Sequence, residues 1–267
     1  MSLRSIFKLQ SFLIKNLASL GRYFILVIKV FFLILRFPLK WRLVREQLYG
    51  IGVLSFPVVA ITGFSTGTVL AAQSFYQLAD KGLAGVTGLM VVKAMFTEMG
   101  PVLTAFMITG RVGSAMCAEL GSMKVTEQLD ALRSMAVNPL CYLVAPRFVS
   151  GVFMLPLLTI FSNFMGIIGA YLVSIFFFGM SSNSFLDPVT QYITYFDFYS
   201  GLFKAFIFGI LIITISCYKG INAEGGATGV GNATTSAVVV CYSCILIVNF
   251  FLTIALNLLN VSIHRWI

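Results

Sequence analysis

Residues 148–178, FVSGVFMLPLLTIFSNFMGIIGAYLVSIFFF, decide the fold class of this chain, because they are almost all apolar and include no charged residue. A helix that crosses a bilayer needs roughly 20 apolar residues at a rise of about 1.5 Å each. This stretch is long enough, so we interpret it as one membrane crossing. The polar and aromatic residues 181–199 that follow are typical of the membrane interface, where Tyr and Trp concentrate.

The composition of the whole chain agrees with a membrane protein. Hydrophobic residues make up 59% of its 267 residues and charged residues only 10%, whereas an ordinary soluble domain is about 25% charged. A soluble fold could not bury so much apolar surface. The sequence therefore predicts an all-α, polytopic integral membrane protein with one membrane domain.

Four more apolar segments are long enough to cross the membrane. They span about residues 50–73, 87–108, 202–218 and 237–259, which with 148–178 makes five crossings. Nine of the 18 basic residues precede the first crossing, and orientation follows the Lys and Arg residues of short loops and tails. We therefore expect the N-terminus in the cytoplasm and the C-terminus on the far side of the membrane.

The N-terminal region, residues 1–46, is rich in basic residues. Five of them, from Lys8 to Arg36, recur every seven residues. Seven helical steps of about 100° fall about 20° short of two turns, so these side chains form one slowly drifting stripe. A basic stripe beside large apolar residues is typical of a helix at the membrane surface, and less so of a nucleic-acid-binding segment. We expect this interfacial helix, a five-helix domain at 47–260 and a short tail at 261–267.

A polar segment, ITGRVGSAMCAELGSMKVTEQLDALRSMAVNPL at residues 108–140, separates the second and third crossings. Its residues favour an amphipathic helix, and so long a connection without structure would be unusual. Glu127 and Asp130 would share one helix face, and the helix should end before Pro139. A short cytoplasmic helix in this segment could dock a soluble partner, and the alternative is a solvated connector.

Charged residues inside the crossings are costly, by about 2.5–3.5 kcal/mol at a helix centre, and are therefore functional candidates. Glu98 is the strongest, since Gly100-Pro101 follows it and frees backbone groups that a neighbour or a cavity must satisfy. Lys93 lies about 140° around the helix from Glu98, so the two need not pair. Lys204 is the better partner for a carboxylate or a lipid phosphate. The alternative is a structural ion pair or a lysine that extends to the interface.

A series of distinctive motifs runs from about residue 40 to residue 260. They are REQLYGIGVLS (45–55), EMGPVLTAFM (98–107), GRVGSAMCAELGSMKVTEQLDALRSMAVNPL (110–140), APRFVSGVFMLPLLT (145–159), FKAFIFG (203–209) and GATGVGNATTSAVV (226–239). In this order they closely resemble the MlaE/YrbE family of MCE-associated ABC transporter permeases.

The resemblance implies a homodimeric permease, with residues 47–260 as the permease domain, in the cell inner membrane. An ABC ATPase subunit and a small regulatory subunit would bind its cytoplasmic side, and an MCE-domain protein would bind its periplasmic side, where the C-terminus would lie. The complex would move phospholipid between the inner and outer membranes of a diderm envelope, or of a plastid. The coupling helix would be about 118–132, with ATPase contacts at Glu119, Gly121, Lys124, Thr126, Glu127 and Asp130. The lipid cavity would be lined by Glu98, Lys204 and Asn249.

Two positions depart from the pattern of the family. Thr97 stands where a basic residue often precedes the glutamate, and Asn249 stands where an acidic residue is common. We therefore expect a reduced network of charges in the cavity.

A secondary transporter of a small amphipathic substrate is the main alternative, although it would usually need coupling-ion ligands and internal repeats. A membrane enzyme would need clustered catalytic groups, but the only histidine is His264, and Cys241-x-x-Cys244 has no second pair. The sequence also lacks the G-x-x-x-x-G-K-[ST] phosphate loop. We expect no catalytic residue, no metal, no cofactor and no nucleic-acid partner, with ATP hydrolysis in a separate subunit.

Overall fold

A computed structural model describes Ala18, residues 21–34 and residues 41–266, with side chains described up to residue 262. The described elements are helices. The α-helices are α1 (21–34), α2 (Trp41–Ile51), α3 (Phe56–Ala79), α4 (Thr87–Ala94), α5 (Gly100–Ile108), α6 (Ser114–Val125), α7 (Gln128–Ser134), α8 (Ala145–Phe176), α9 (Ser182–Tyr192), α10 (Tyr195–Ile221) and α11 (Gly226–Trp266). Three π-helical turns lie between them, at Met95–Met99, Thr109–Gly113 and Leu140–Val144.

Five helical stretches are long and apolar enough to cross a membrane, as the sequence predicts. They are Trp41–Ala79, Ala84–Val125, Leu140–Phe176, Tyr195–Ile221 and Gly226–Ser262. Each is longer than the apolar segment predicted for it, because the helix continues past that segment at one or both ends. The prediction of an all-α, polytopic membrane protein with five crossings is confirmed.

Successive spans run in opposite directions, so their connections collect at two ends of the bundle. The connections at 126–139, which contains α7, and at 222–225 form one end, which we term the α7 side. The connections at 80–83 and at 177–194, which contains α9, form the other end, which we term the α9 side.

The predicted interfacial region, residues 1–46, is described only in part. In α1, the Tyr23 hydroxyl lies 2.7 Å from Thr214 Oγ1, and Val30 is buried. The opposite face is apolar but exposed, with Phe32 at 65%. This face suits contact with lipid, and the surface position of the helix stays a prediction. The parts of the terminal predictions that lie outside the described residues are 1–17, 19–20, 35–40 and 267.

Glycines bring α3 and α8 into backbone contact. Gly63 and Gly67 on α3 are buried against Ser162 and Gly166 on α8. A Cβ atom at Gly67 would lie 1.9 Å from the Gly166 carbonyl oxygen. Helices in lipid associate largely through close packing, which small residues permit. The two glycines therefore set the separation of the first and third spans.

We expect Gly67→Ala to destabilise the folded chain by about 1–3 kcal/mol, because α3 and α8 must separate to admit the new methyl group. Thermal unfolding in mild detergent, followed by tryptophan fluorescence, measures the effect. Gly231→Ala on α11 is the control, since a Cβ atom there meets nothing within 4 Å. Equal stability of the two variants would contradict the close contact at Gly67.

Candidate functional site

Glu98 lies in a π-helical turn, Met95–Met99, that interrupts the second span. Such turns insert one residue into a helix and are frequent at functional sites. Pro101 follows and has no N–H to donate to the carbonyl of Thr97, four residues earlier. The Lys204 ammonium group donates to this Thr97 oxygen at 3.0 Å. The backbone group that Gly100-Pro101 is predicted to free is therefore the Thr97 carbonyl, and a side chain from α10 satisfies it.

Lys204 and Glu98 form an ion pair within the bundle. Lys204 Nζ lies 2.6 Å from Glu98 Oε1 and also donates to Thr253 Oγ1 at 2.8 Å. With the Thr97 carbonyl, these acceptors use all three ammonium protons. The Lys204 side chain is only 2% exposed, whereas that of Glu98 is 35% exposed. The structure confirms Lys204 as the partner of this carboxylate.

Two residues of α11 complete the network around Glu98. Asn249 Nδ2 donates to Glu98 Oε2 at 3.0 Å, and the Thr253 hydroxyl donates to Glu98 Oε1 at 2.9 Å. Residues four apart share a helix face, so both side chains reach the same carboxylate. The second, fourth and fifth spans are thus joined by polar contacts at one point.

A second ion pair lies beside the first. Lys93 Nζ is 3.7 Å from Asp197 Oδ1, and Asp197 Oδ2 accepts hydrogen bonds from the backbone N–H and hydroxyl of Thr194. Both pairs open into one polar cavity of about 160 Å³. Its lining residues are Lys93, Thr97, Glu98, Phe196, Asp197, Ser200, Lys204, Thr253, Leu256, Asn257 and Asn260. Two of the three predicted cavity residues, Glu98 and Lys204, belong to this lining. The third, Asn249, contacts the cavity through its hydrogen bond to Glu98 Oε2.

The predicted cytoplasmic helix at 118–132 is not one continuous helix. The second span continues through α6 to Val125, and α7 begins at Gln128. Between them Glu127 has φ +59°, a left-handed conformation that a helix cannot include. The sequence predicted that Glu127 and Asp130 share one helix face. This prediction is wrong, because Glu127 lies outside both helices. We term residues 124–130 the α6–α7 corner.

Charges hold the α6–α7 corner together. Asp130 Oδ2 accepts a hydrogen bond from Lys124 Nζ at 3.1 Å, and Asp130 Oδ1 accepts one from Arg133 at 2.7 Å. The hydrogen bond from Lys124 and the charges of both cations lower the pKa of Asp130, so its carboxylate is ionised at neutral pH. Thr126 and Glu127 are exposed at this corner. The corner therefore presents mixed charge to a partner.

The other predicted contact residues lie in different surroundings. Glu119 pairs with Arg147 at the start of α8, with 2.9 Å between Oε2 and Nη2, and keeps 60% of its side chain exposed. Gly121 is buried, and a Cβ atom there would lie 3.2 Å from Val230 on α11. The structure thus places Gly121 in helix packing, whereas Lys124, Thr126, Glu127 and Asp130 stay together at the corner.

Comparisons with known proteins agree with this architecture. The sequence profile of the family described as “Permease MlaE” matches residues 44–255. A “Probable ABC transporter permease protein” of Rickettsia bellii is 40% identical over 88% of this chain and 91% of its own length. The “Intermembrane phospholipid transport system permease protein MlaE” of Haemophilus influenzae is 35% identical over 79% of this chain and 81% of its own. The chloroplastic protein TRIGALACTOSYLDIACYLGLYCEROL 1 of Arabidopsis thaliana is 36% identical over 82% of this chain and 63% of its own.

Proposed function

This chain belongs to the MlaE permease family, and on that premise we propose that it is the membrane-spanning permease of an ABC-type transporter that moves phospholipid between the inner and outer membranes of a diderm envelope. The match over residues 44–255 carries the proposal. Relatives named as an ABC transporter permease and as a phospholipid transport permease support the type of transporter and its cargo. The polar cavity around Glu98 supplies a site for a head group inside the apolar bundle.

The proposed partners are assigned to the two sides of the bundle. The α7 side faces the cytoplasm, and its α6–α7 corner docks an ABC ATPase subunit, with a small regulatory subunit on the same side. The α9 side faces the periplasm and an MCE-domain protein. A second copy of this chain completes a homodimer. ATP is hydrolysed by the partner ATPase, and this chain contributes the lipid pathway.

The helix geometry supports coupling between the ATPase and the cavity. Glu98 and Lys124, the first residue of the α6–α7 corner, belong to the same helical stretch, Ala84–Val125, and lie about 40 Å apart along it at about 1.5 Å per residue. A displacement of the α6–α7 corner therefore acts on the helix that carries the central carboxylate. An ATPase shifts the conformation of the permease only by binding its states with different affinity. The ion-pair network of Glu98 is the part of the cavity that such a shift would rearrange.

Purification of the tagged chain from its native membrane in mild detergent tests the proposed function. We expect mass spectrometry to detect an ABC ATPase, an MCE-domain protein and bound phospholipid in the purified complex. A chain recovered without ATPase and without lipid, under conditions that keep other ABC complexes intact, would favour the secondary-transporter alternative.

A further inference from the structure

The cavity holds two lysines, and only one of them has its charge available to a ligand. Lys204 is 2% exposed, and its three protons are donated to Thr97, Glu98 and Thr253. A phosphate could bind Lys204 only by displacing one of these acceptors. The Glu98 carboxylate beside it would also repel an anion.

Lys93 is in the opposite situation. Its side chain is 54% exposed and belongs to the cavity lining. Among the described residues its ammonium group makes one charge contact, to Asp197 Oδ1 at 3.7 Å, which is longer than a hydrogen bond. The three N–H donors of Lys93 are therefore available to oxygen acceptors in the cavity.

Asp197 does not depend on Lys93 for its hydrogen bonds. The side chain of Asp197 is 6% exposed, and its Oδ2 accepts from the backbone and the hydroxyl of Thr194 at the start of α10. These contacts keep the carboxylate in place if Lys93 turns to another anion.

We propose that Lys93, and not Lys204, is the cation that binds the phosphodiester of a phospholipid head group in this cavity, an assignment that rests on the proposed function. An ammonium group forms charge-assisted hydrogen bonds with phosphate oxygens. The amides of Asn257 and Asn260 line the same cavity and offer further donors. The Glu98–Lys204 pair, whose two charges balance, then lines the cavity beside the head group.

The position of Lys93 agrees with this role. It lies in the last turn of α4, about 9 Å along the helix from Thr87 at about 1.5 Å per residue. It is therefore closer to the α9 side of the bundle than Glu98 is. A head group that enters from this side meets Lys93 before it meets the Glu98–Lys204 pair.

Native mass spectrometry of the full chain with its co-purified ATPase tests the assignment. The complex is incubated in detergent with equal amounts of phosphatidylethanolamine and of diacylglycerol with identical acyl chains, with and without excess inorganic phosphate. We expect Lys93→Met to lower retention of phosphatidylethanolamine roughly tenfold, the usual effect of losing one charge-assisted hydrogen bond. Retention of diacylglycerol should not change, and Lys93→Arg should restore phosphatidylethanolamine.

Two further variants act as controls. Lys81→Met removes an exposed lysine in the connection 80–83 on the same side and should leave retention of both lipids unchanged. Lys204→Met should lower retention of both lipids alike, because it unpairs Glu98 and alters the cavity wall.

Each of the other possible outcomes contradicts a named part of the proposal. If Lys93→Met lowers the retention of both lipids equally, or of neither, Lys93 is a structural residue or one that only extends to the interface, and the assignment is wrong. A phosphate-selective loss confined to Lys204→Met transfers the role to Lys204. Displacement of phosphatidylethanolamine by inorganic phosphate would identify a site for free phosphate instead. If the unmodified complex retains neither lipid, the proposed function itself fails.

Discussion

Glu98→Ala should lower the stability of the folded chain by about 3–5 kcal/mol and reduce lipid transfer to background. Removing one partner of a buried ion pair leaves the other charge uncompensated, which costs about that much. Here the residue left behind is Lys204, at 2% exposure. Its remaining acceptors, the Thr97 carbonyl and the Thr253 hydroxyl, are uncharged.

The two partners of this pair should not be equivalent. Lys204→Met leaves Glu98, which is 35% exposed and keeps its hydrogen bonds from Asn249 and Thr253. We therefore expect Lys204→Met to cost less stability than Glu98→Ala. The double variant, Glu98→Ala with Lys204→Met, removes both charges. It should regain most of the stability that Glu98→Ala loses, since a methionine fills the lysine site without a charge.

Thermal unfolding in detergent and lipid transfer between vesicles separate the two effects. The double variant should be folded but inactive, which assigns the network to transport and not only to folding. Glu46→Ala is the control, because Glu46 makes an exposed pair with Arg42, and such pairs contribute about 1 kcal/mol or less. A double variant no more stable than Glu98→Ala would contradict a desolvated charge at Lys204.

The main features of the fold and the central pair of the site could be predicted from the sequence. Apolar runs such as 148–178 predict the crossings because the bilayer demands about 20 apolar residues. Glu98 is recognisable because a carboxylate in an apolar span is energetically costly and is therefore a functional candidate. Lys204 follows as its partner, because it is a basic residue within a different apolar span.

The roles of the other residues around Glu98 and Lys204 were harder to predict from the sequence. Thr253 is a hydroxyl residue in an apolar helix, where such residues commonly bond to their own backbone. Its Oγ1 lies 2.9 Å from Asn249 O as well as from Glu98 Oε1, and its single proton can be donated to only one of them at a time. Only its spacing of four from Asn249 could have suggested a shared target. Asp197 reads as a helix-capping residue, which it is, and its contact with Lys93 depends on how α4 and α10 pack.

The sequence did not indicate that the predicted coupling helix, residues 118–132, breaks between α6 and α7. Glutamate is a good helix former, yet Glu127 adopts φ +59°. A non-glycine residue in this conformation is held there by its surroundings. Here two backbone hydrogen bonds close a turn between α6 and α7. Glu127 N donates to Lys124 O, and Asp130 N donates to Glu127 O. Gly121 is buried for a related reason, because α6 continues the second span and so packs against α11.

Glu127→Lys combined with Asp130→Lys should reduce co-purification of the ATPase about 100-fold while the chain stays folded. Both side chains are exposed at the α6–α7 corner, where the proposed function places the ATPase. Like charges brought together at an interface cost several kcal/mol, and about 2.7 kcal/mol is a factor of 100 in affinity. The backbone preference at residue 127 is little changed, since neither Glu nor Lys favours a positive φ.

The Asp130 replacement carries a local cost that must be separated from docking. It removes the contacts with Lys124 and Arg133 and places a third positive charge between them. Asp130→Asn is therefore measured alongside, because it weakens the corner without adding a charge. The matched control is Asp80→Lys with Asp187→Lys, which makes the same charge change at exposed positions on the α9 side. If the ATPase co-purifies normally with the corner variant, or is lost equally from the α9-side control, the α6–α7 corner is not its docking surface.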